Sequence, residues 1–224
     1  MKVVPKRVDH EQRRRQIGEA LLRIASTRGL QSATMREVAA EAGVSLRLVQ
    51  YYFHTKEELL LAALAYLGEQ LTERVSASIR ALGPATSRNV VYGTLTAILP
   101  TDEESVRLTR AYTGFYTLMF SEPELAERHG ATYPDKLESL LAKHLTAAQG
   151  TGDVLADVDP ALTAAALLAL TNGLGSSVLG GQRDGAAALR ILNDQLGRLF
   201  SAGQSSTPAP VRPPTHRRGR HEQK

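Results

Sequence analysis

Between Thr34 and Lys56 the chain reads TMREVAAEAGVSLRLVQYYFHTK, and few backbones can carry that string. Thr34 followed three residues later by Glu37 is a capping box, which starts a helix by satisfying amide groups that its first turn leaves open. Met35, Val38, Ala39 and Ala42 then recur on one helical face. Gly43 supplies the left-handed backbone that ends a helix at little steric cost, and Val44 plugs the corner. Ser45 caps a second helix, in which Val49 and Phe53 lie four apart and face inward. Thr55 with Glu58 forms another capping box and opens a third helix. The pattern is a helix-turn-helix with a longer helix behind it.

The other face of the second helix carries Leu46, Arg47, Gln50, Tyr51 and His54. Arg and Gln pointing outward from a short helix can pair bidentately with base edges, and nearby tyrosines can reach phosphate. We therefore assign Arg47 and Gln50 to base readout. Tyr51, Tyr52, Lys56 and the Thr34 hydroxyl are assigned to phosphate, and Arg36 to either. Leu46 and His54 complete the DNA-facing set.

The segment 9–61 resembles the N-terminal domain of the TetR family of bacterial transcriptional regulators. The likeness rests on Arg28-Gly29-Leu30, Thr34-Met-Arg-Glu-Val-Ala, Ala42-Gly43-Val44-Ser45 and Tyr52-Phe53-x-Thr-Lys56-Glu-Glu-Leu. The reading helix, Leu46-Arg-Leu-Val-Gln-Tyr-Tyr-Phe, is similar to the BetI-like branch and departs from the commonest family pattern, so no operator sequence transfers with the resemblance. The resemblance implies an all-α fold in which a DNA-binding domain precedes a helical body for effector binding and dimerisation. It also implies a homodimer on a palindromic operator, usually a repressor, released by a small-molecule effector.

Charge is distributed in keeping with that reading. Residues 1–60 hold 11 Lys and Arg against 7 Asp and Glu, residues 61–200 hold 11 against 15, and residues 201–224 hold 5 against 1. Basic charge at both ends and an acidic body suit a polyanion contacted through the termini. The chain has no cysteine, which excludes disulfides, thiolate catalysis and cysteine-ligated zinc and fits a reducing cytoplasm. The N-terminus shows no apolar secretory stretch. No HExxH spacing occurs, and Gly173-Leu-Gly175 lacks both the third glycine (Val178 stands there) and a preceding strand. No catalytic residue, metal ligand or cofactor is assigned.

Four segments follow along the chain. Residues 1–8 form a basic arm around Pro5, which reads equally as a DNA-backbone contact and as an unstructured terminus. Residues 9–56 form the DNA-binding domain; its first helix is capped by Asp9, and Arg13, Arg14 and Arg15 read as a solvated face from which one could approach phosphate. Residues 57–202 form the body, entered by a helix running from Lys56 to about Leu82. Residues 203–224 are rich in Ser, Pro, Arg and His and read as a disordered basic tail.

Within the body, Tyr112, Phe115, Tyr116, Met119 and Phe120 cluster on one helix, with Tyr92 assigned to the same space. The spacing alone suits a plain core; the resemblance favours an effector cavity for an apolar or aromatic ligand. The run 160–182 is uncharged and long enough to span a bilayer, but Thr163, Thr171, Asn172, Ser176 and Ser177 argue against a membrane. It resembles one of the two helices through which such subunits dimerise, with 184–201 as the other. Leu167, Leu170, Gly173, Leu174, Leu192 and Leu196 are the assigned interface. Two other function classes compete. An architectural or protein-binding helical protein would not need the outward Arg47 and Gln50, and an enzyme using the aromatic pocket would need a nucleophile–base pair that the sequence lacks.

Overall fold

The computed structural model describes residues 6–122, 124, 125, 127 and 134–204. The described residues are helical throughout, with connecting turns. We label the helices α1 (Lys6–Thr27), α2 (Met35–Ala42), α3 (Leu46–Tyr52), α4 (Lys56–Ala81), α5 (Ser87–Ala97), α6 (Glu103–Ser121), α7 (Pro134–Gly150), α8 (Pro160–Leu179) and α9 (Gly185–Gln204). A short 3-10 turn, Leu30–Ser32, links α1 to α2.

Helix ends follow the sequence signals closely. The Thr34 hydroxyl accepts from the Glu37 amide and the Glu37 carboxylate accepts from the Thr34 amide, completing the capping box of α2. Gly43 at the end of α2 has φ 68°, a left-handed value that a side chain would strain. Ser45, Thr55, Thr86, Asp102 and Asp159 each accept a backbone amide at the start of α3, α4, α5, α6 and α8. The start of α1 differs from expectation. Helix begins at Lys6, so Asp9 lies inside the first turns and not at their start, and residues 6–8 of the expected arm are helical. The arm residues 1–5, the tail from 205 and the break near Gly130 lie outside the described residues.

Two hydrophobic cores form. The first joins Ile17, Leu21 and Ile24 of α1, Val38 of α2, Val49 and Phe53, and Leu59, Ala63 and Leu67 of α4. It does not stop at residue 56, because Leu108, Ala111 and Phe115 of α6 belong to it. The second core joins α5, α7, α8 and α9 through Leu95, Leu141, Leu145, Leu168, Leu192 and Phe200, among others. Helix α4 runs from the reading helix into the body and packs against α1, α5 and α6. Its approach to α5 depends on Gly93, where a Cβ would stand 2.9 Å from the Ile79 Cα. Arg74 fastens the middle of α4 to the α5–α6 corner. Its Nε donates to the Ala97 carbonyl at 2.8 Å, and its guanidinium pairs with Asp102 and Glu104. Burial would raise the Asp102 pKa, but hydrogen bonds from the Ser105 amide and Arg74 outweigh it and hold the carboxyl below its usual range.

Candidate DNA-reading face and effector cavity

The reading helix is held by its buried side. Val49 and Phe53 are fully buried, so the helical period leaves Arg47, Gln50, Tyr51 and His54 exposed. Tyr51 is 65% exposed. Leu46 and Tyr52 are half-buried, Leu46 against the first core, and Lys56 and Arg36 are exposed. Tyr52 also meets neighbouring rings. It lies edge-on to Tyr51 at 5.2 Å and to His10 of α1 at 4.5 Å, which fixes the two tyrosines relative to each other. Thr34 is engaged otherwise than expected. Its hydroxyl donates to Glu37 at 2.9 Å, so a phosphate would have to compete for that proton. Hydrogen bonds from the Thr34 amide and hydroxyl also hold the Glu37 carboxyl below its usual pKa.

Helix α1 carries the supports that sequence reasoning left as a solvated face. Arg14 donates to the Tyr52 carbonyl at the end of α3, and its guanidinium lies 4.4 Å from the centre of the Phe53 ring. A cation there satisfies an open carbonyl and opposes the negative end of the helix. Gln16 donates to the Ala42 carbonyl at 2.9 Å, and Arg23 and Arg28 pair with Glu41. Arg15 pairs with Glu69 of α4. The arginine cluster gave the only signal for these contacts, and spacing alone could not say which carbonyl each would meet.

The body holds an open cavity of about 1070 Å³ between α4, α5 and α7. Its inner wall is apolar: Leu67, Val75 and Ile79 from α4, Val90 from α5, and Leu137 and Leu140 from α7. Of the six residues assigned to an effector, only Tyr112 reaches this cavity. The other five lie outside its lining. Phe115 is 2% exposed and belongs to the first core, where Met119 packs beside it. Tyr116 and Phe120 are 48% and 74% exposed and continue an outward ladder of rings from Tyr112. Tyr92 packs on the second core, its ring 6.2 Å from that of Phe200. Aromatic residues four apart shared a helix stripe, but α6 lies between two surroundings and turns them toward different ones.

His144 of α7, which the sequence reads as a surface or core histidine more readily than a ligand contact, also lines the cavity. Its Nδ1 is buried without a hydrogen-bond partner among the described residues. Burial, aided by Lys143, lowers its pKa and favours the neutral ring. Burial likewise raises the Tyr112 pKa, keeping the phenol protonated. Four charged side chains, Glu69, Glu73, Arg80 and Lys136, stand on the exposed rim.

The residues assigned to an interface divide between the subunit's own core and its surface. Leu167, Leu174, Leu192 and Leu196 are buried in the second core of a single chain, and Leu170 packs against it. Gly173 is exposed, with open space beyond its Cα. Helix α8 is long and apolar enough to cross a membrane by those criteria alone, yet only 33% of its most apolar stretch is buried. Its open face is made of Leu162, Ala166, Ala169, Gly173 and Ser176, spaced at alternating intervals of four and three.

Residues 17–63 match the family described as bacterial regulatory proteins, tetR family, and residues 87–201 match the C-terminal domain of BetI-type transcriptional repressors. The chain belongs to the TetR family. This is a family of transcriptional regulators, not of enzymes. Among curated relatives, the HTH-type transcriptional regulator PksA of Bacillus subtilis (strain 168) is 38% identical over 113 residues, which cover 50% of this chain and 54% of that protein. The chain thus spans about half the length of that relative. Among solved structures, a TetR-family regulator from Rhodococcus sp. superposes with a TM-score of 0.75 at 25% identity, covering 85% of this chain and 99% of that one. A transcriptional regulator from Saccharomonospora viridis, solved in complex with choline, gives 0.73 at 26% identity over 84% and 96% of the two chains.

Proposed function

We propose that this TetR-family regulator binds a palindromic operator as a homodimer and is released from it by a small, largely apolar effector. The observation that carries the reading is the presentation of Arg47 and Gln50. They stand exposed on a helix whose opposite side is buried and whose end is held by Arg14. Arg47 and Gln50 read bases; Tyr51, Tyr52, Lys56, Arg36 and, in competition with Glu37, Thr34 hold phosphate. Two such helices one DNA turn apart meet successive major grooves.

Pairing of two chains through α8 and α9 supplies the second helix. The support is the uncharged open face of α8, whose small residues let another helix approach closely. Such a pair acts in the cytoplasm, on DNA. Control through the body is supported by the cavity along α4, since that helix also begins directly behind the reading helix. A ligand that favours one tilt of α4 favours one spacing of the reading helices. A coupling of about 1–3 kcal/mol lowers operator affinity roughly 5–150-fold, which suffices for repression and release. That a structural relative holds choline supports small-molecule control without naming the ligand here.

Selection of duplexes from a random pool tests the reading. Recovery of a palindrome, with Arg47→Ala weakening it by about 1–3 kcal/mol while sparing random DNA, is the expected result. Equal losses on specific and random duplexes would reduce Arg47 to a phosphate contact, and recovery of no common sequence would favour an architectural protein.

A further inference from the structure

We infer that the body cavity is built for a neutral, mainly aliphatic molecule that sets one oxygen against His144, and not for a cation or a carboxylate. The inference rests on the reading of this cavity as the effector site. Size is the first argument. At about 1070 Å³ the space lies at the upper end of cavities that hold drug-sized ligands, so a very small ligand would leave most of the apolar wall uncovered.

Charge is the second. The rim carries two carboxylates, Glu69 and Glu73, and two cations, Arg80 and Lys136, all exposed to water. Their signs balance, and screening at an exposed rim leaves no field strong enough to select an ion. Among the described residues, no charged side chain lines the buried wall. An ion drawn inside would lose hydration without gaining a partner. An ammonium group can instead be held by several aromatic faces, but among the described residues only Tyr112 and the His144 imidazole bring a ring to this cavity.

The third argument is the imidazole of His144, the polar ring that lines the cavity beside aliphatic side chains, while its Nδ1 is closed off by protein without a hydrogen-bond partner among the described residues. A ligand hydroxyl both donates and accepts, so it can pair with the cavity-facing part of this ring in either tautomer. The remainder of the ligand covers Leu67, Val75, Ile79 and Leu140.

A decyl series that varies only in its head group tests this with the full chain, read by displacement of the neutral fluorophore N-phenyl-1-naphthylamine. Decan-1-ol should displace the fluorophore about tenfold more effectively than 1-chlorodecane, decanoate or decyltrimethylammonium, the ratio expected of one buried hydrogen bond. In His144→Leu the alcohol should fall to the level of the chloride. A charged member that competes equally with the alcohol, or an alcohol preference that survives in His144→Leu, overturns the inference. Leu140→Glu puts a carboxylate into the apolar wall and should strongly weaken fluorophore binding; unchanged binding would place the ligand elsewhere and remove the inference as well. If the alcohol binds with the expected preference yet leaves operator affinity unchanged, the ligand class stands and the release mechanism falls.

Discussion

Gly18 of α1 lies directly against the ring of Tyr66 on α4, so closely that a Cβ on Gly18 would stand 2.5 Å from both Cδ2 and Cε2 of that ring. Tyr66 is 9% exposed and has Arg15 over its face at 5.3 Å, so the ring has little room to yield. This contact sets how closely the first helix of the DNA-binding domain approaches the helix that enters the body. Gly18→Ala should destabilise the chain by about 1–3 kcal/mol through overpacking, despite the better helix propensity of alanine. Thermal or denaturant unfolding checks it; an unchanged or raised midpoint would show that Tyr66 moves aside freely.

Arg14 supports the reading helix without belonging to its DNA-facing side. Arg14→Ala removes the donor to the Tyr52 carbonyl and the cation over Phe53. The part-buried carbonyl regains water once the guanidinium is gone, so the stability loss should be modest, about 1 kcal/mol. Operator affinity should fall by a comparable or larger factor, while the preferred sequence stays the same because Arg47 and Gln50 remain. Titration of selected and mutated duplexes separates the outcomes. A change in the preferred base would make Arg14 a reader.

Phe115 and Phe120 share α6 but should behave oppositely. Phe115 fills the first core beside α1, so Phe115→Ala should cost about 3–5 kcal/mol and weaken DNA binding through unfolding. Phe120 is exposed, and Phe120→Ala should leave the stability of a single chain within about 0.5 kcal/mol. Chemical denaturation of both variants at low protein concentration provides the comparison. Equal costs would mean that Phe120 is covered in solution.

Gly173 gives a test of pairing that does not disturb the subunit. Nothing lies within 4 Å of a Cβ placed there, and arginine favours a helix over glycine by several tenths of a kcal/mol. Gly173→Arg should therefore keep or slightly raise subunit helicity while converting a dimer to monomers, with loss of operator affinity. Sedimentation and circular dichroism together decide; a stable dimer of this variant would move the interface off α8.

The local features of this fold were legible residue by residue. Thr34 with Glu37, Gly43, Ser45, Thr55 and Asp159 each act on a neighbour within four positions, through hydrogen bonds that need no distant partner. That is why the helix-turn-helix, the start of α4 and the start of α8 could be read from sequence. Val49 and Phe53 had to face inward, and the same period exposed Arg47 and Gln50. The start of α1 was less legible, since the helix extends past Asp9 to Lys6.

Contacts across the chain were decided by packing alone. Periodicity showed that Tyr112, Phe115, Tyr116 and Phe120 share α6 but not what each would meet; the packing of α6 on α1 buried Phe115 and left Phe120 open. In the same way, four of the leucines assigned to an interface were needed by the second core, leaving Ala166, Ala169 and Gly173 on the open face. His144 gained significance only because α7 turns it toward the space beside α4. Hydrogen bonds within one helical turn are fixed by sequence spacing, whereas a cavity is the gap left where distant helices meet, and its lining depends on how they cross.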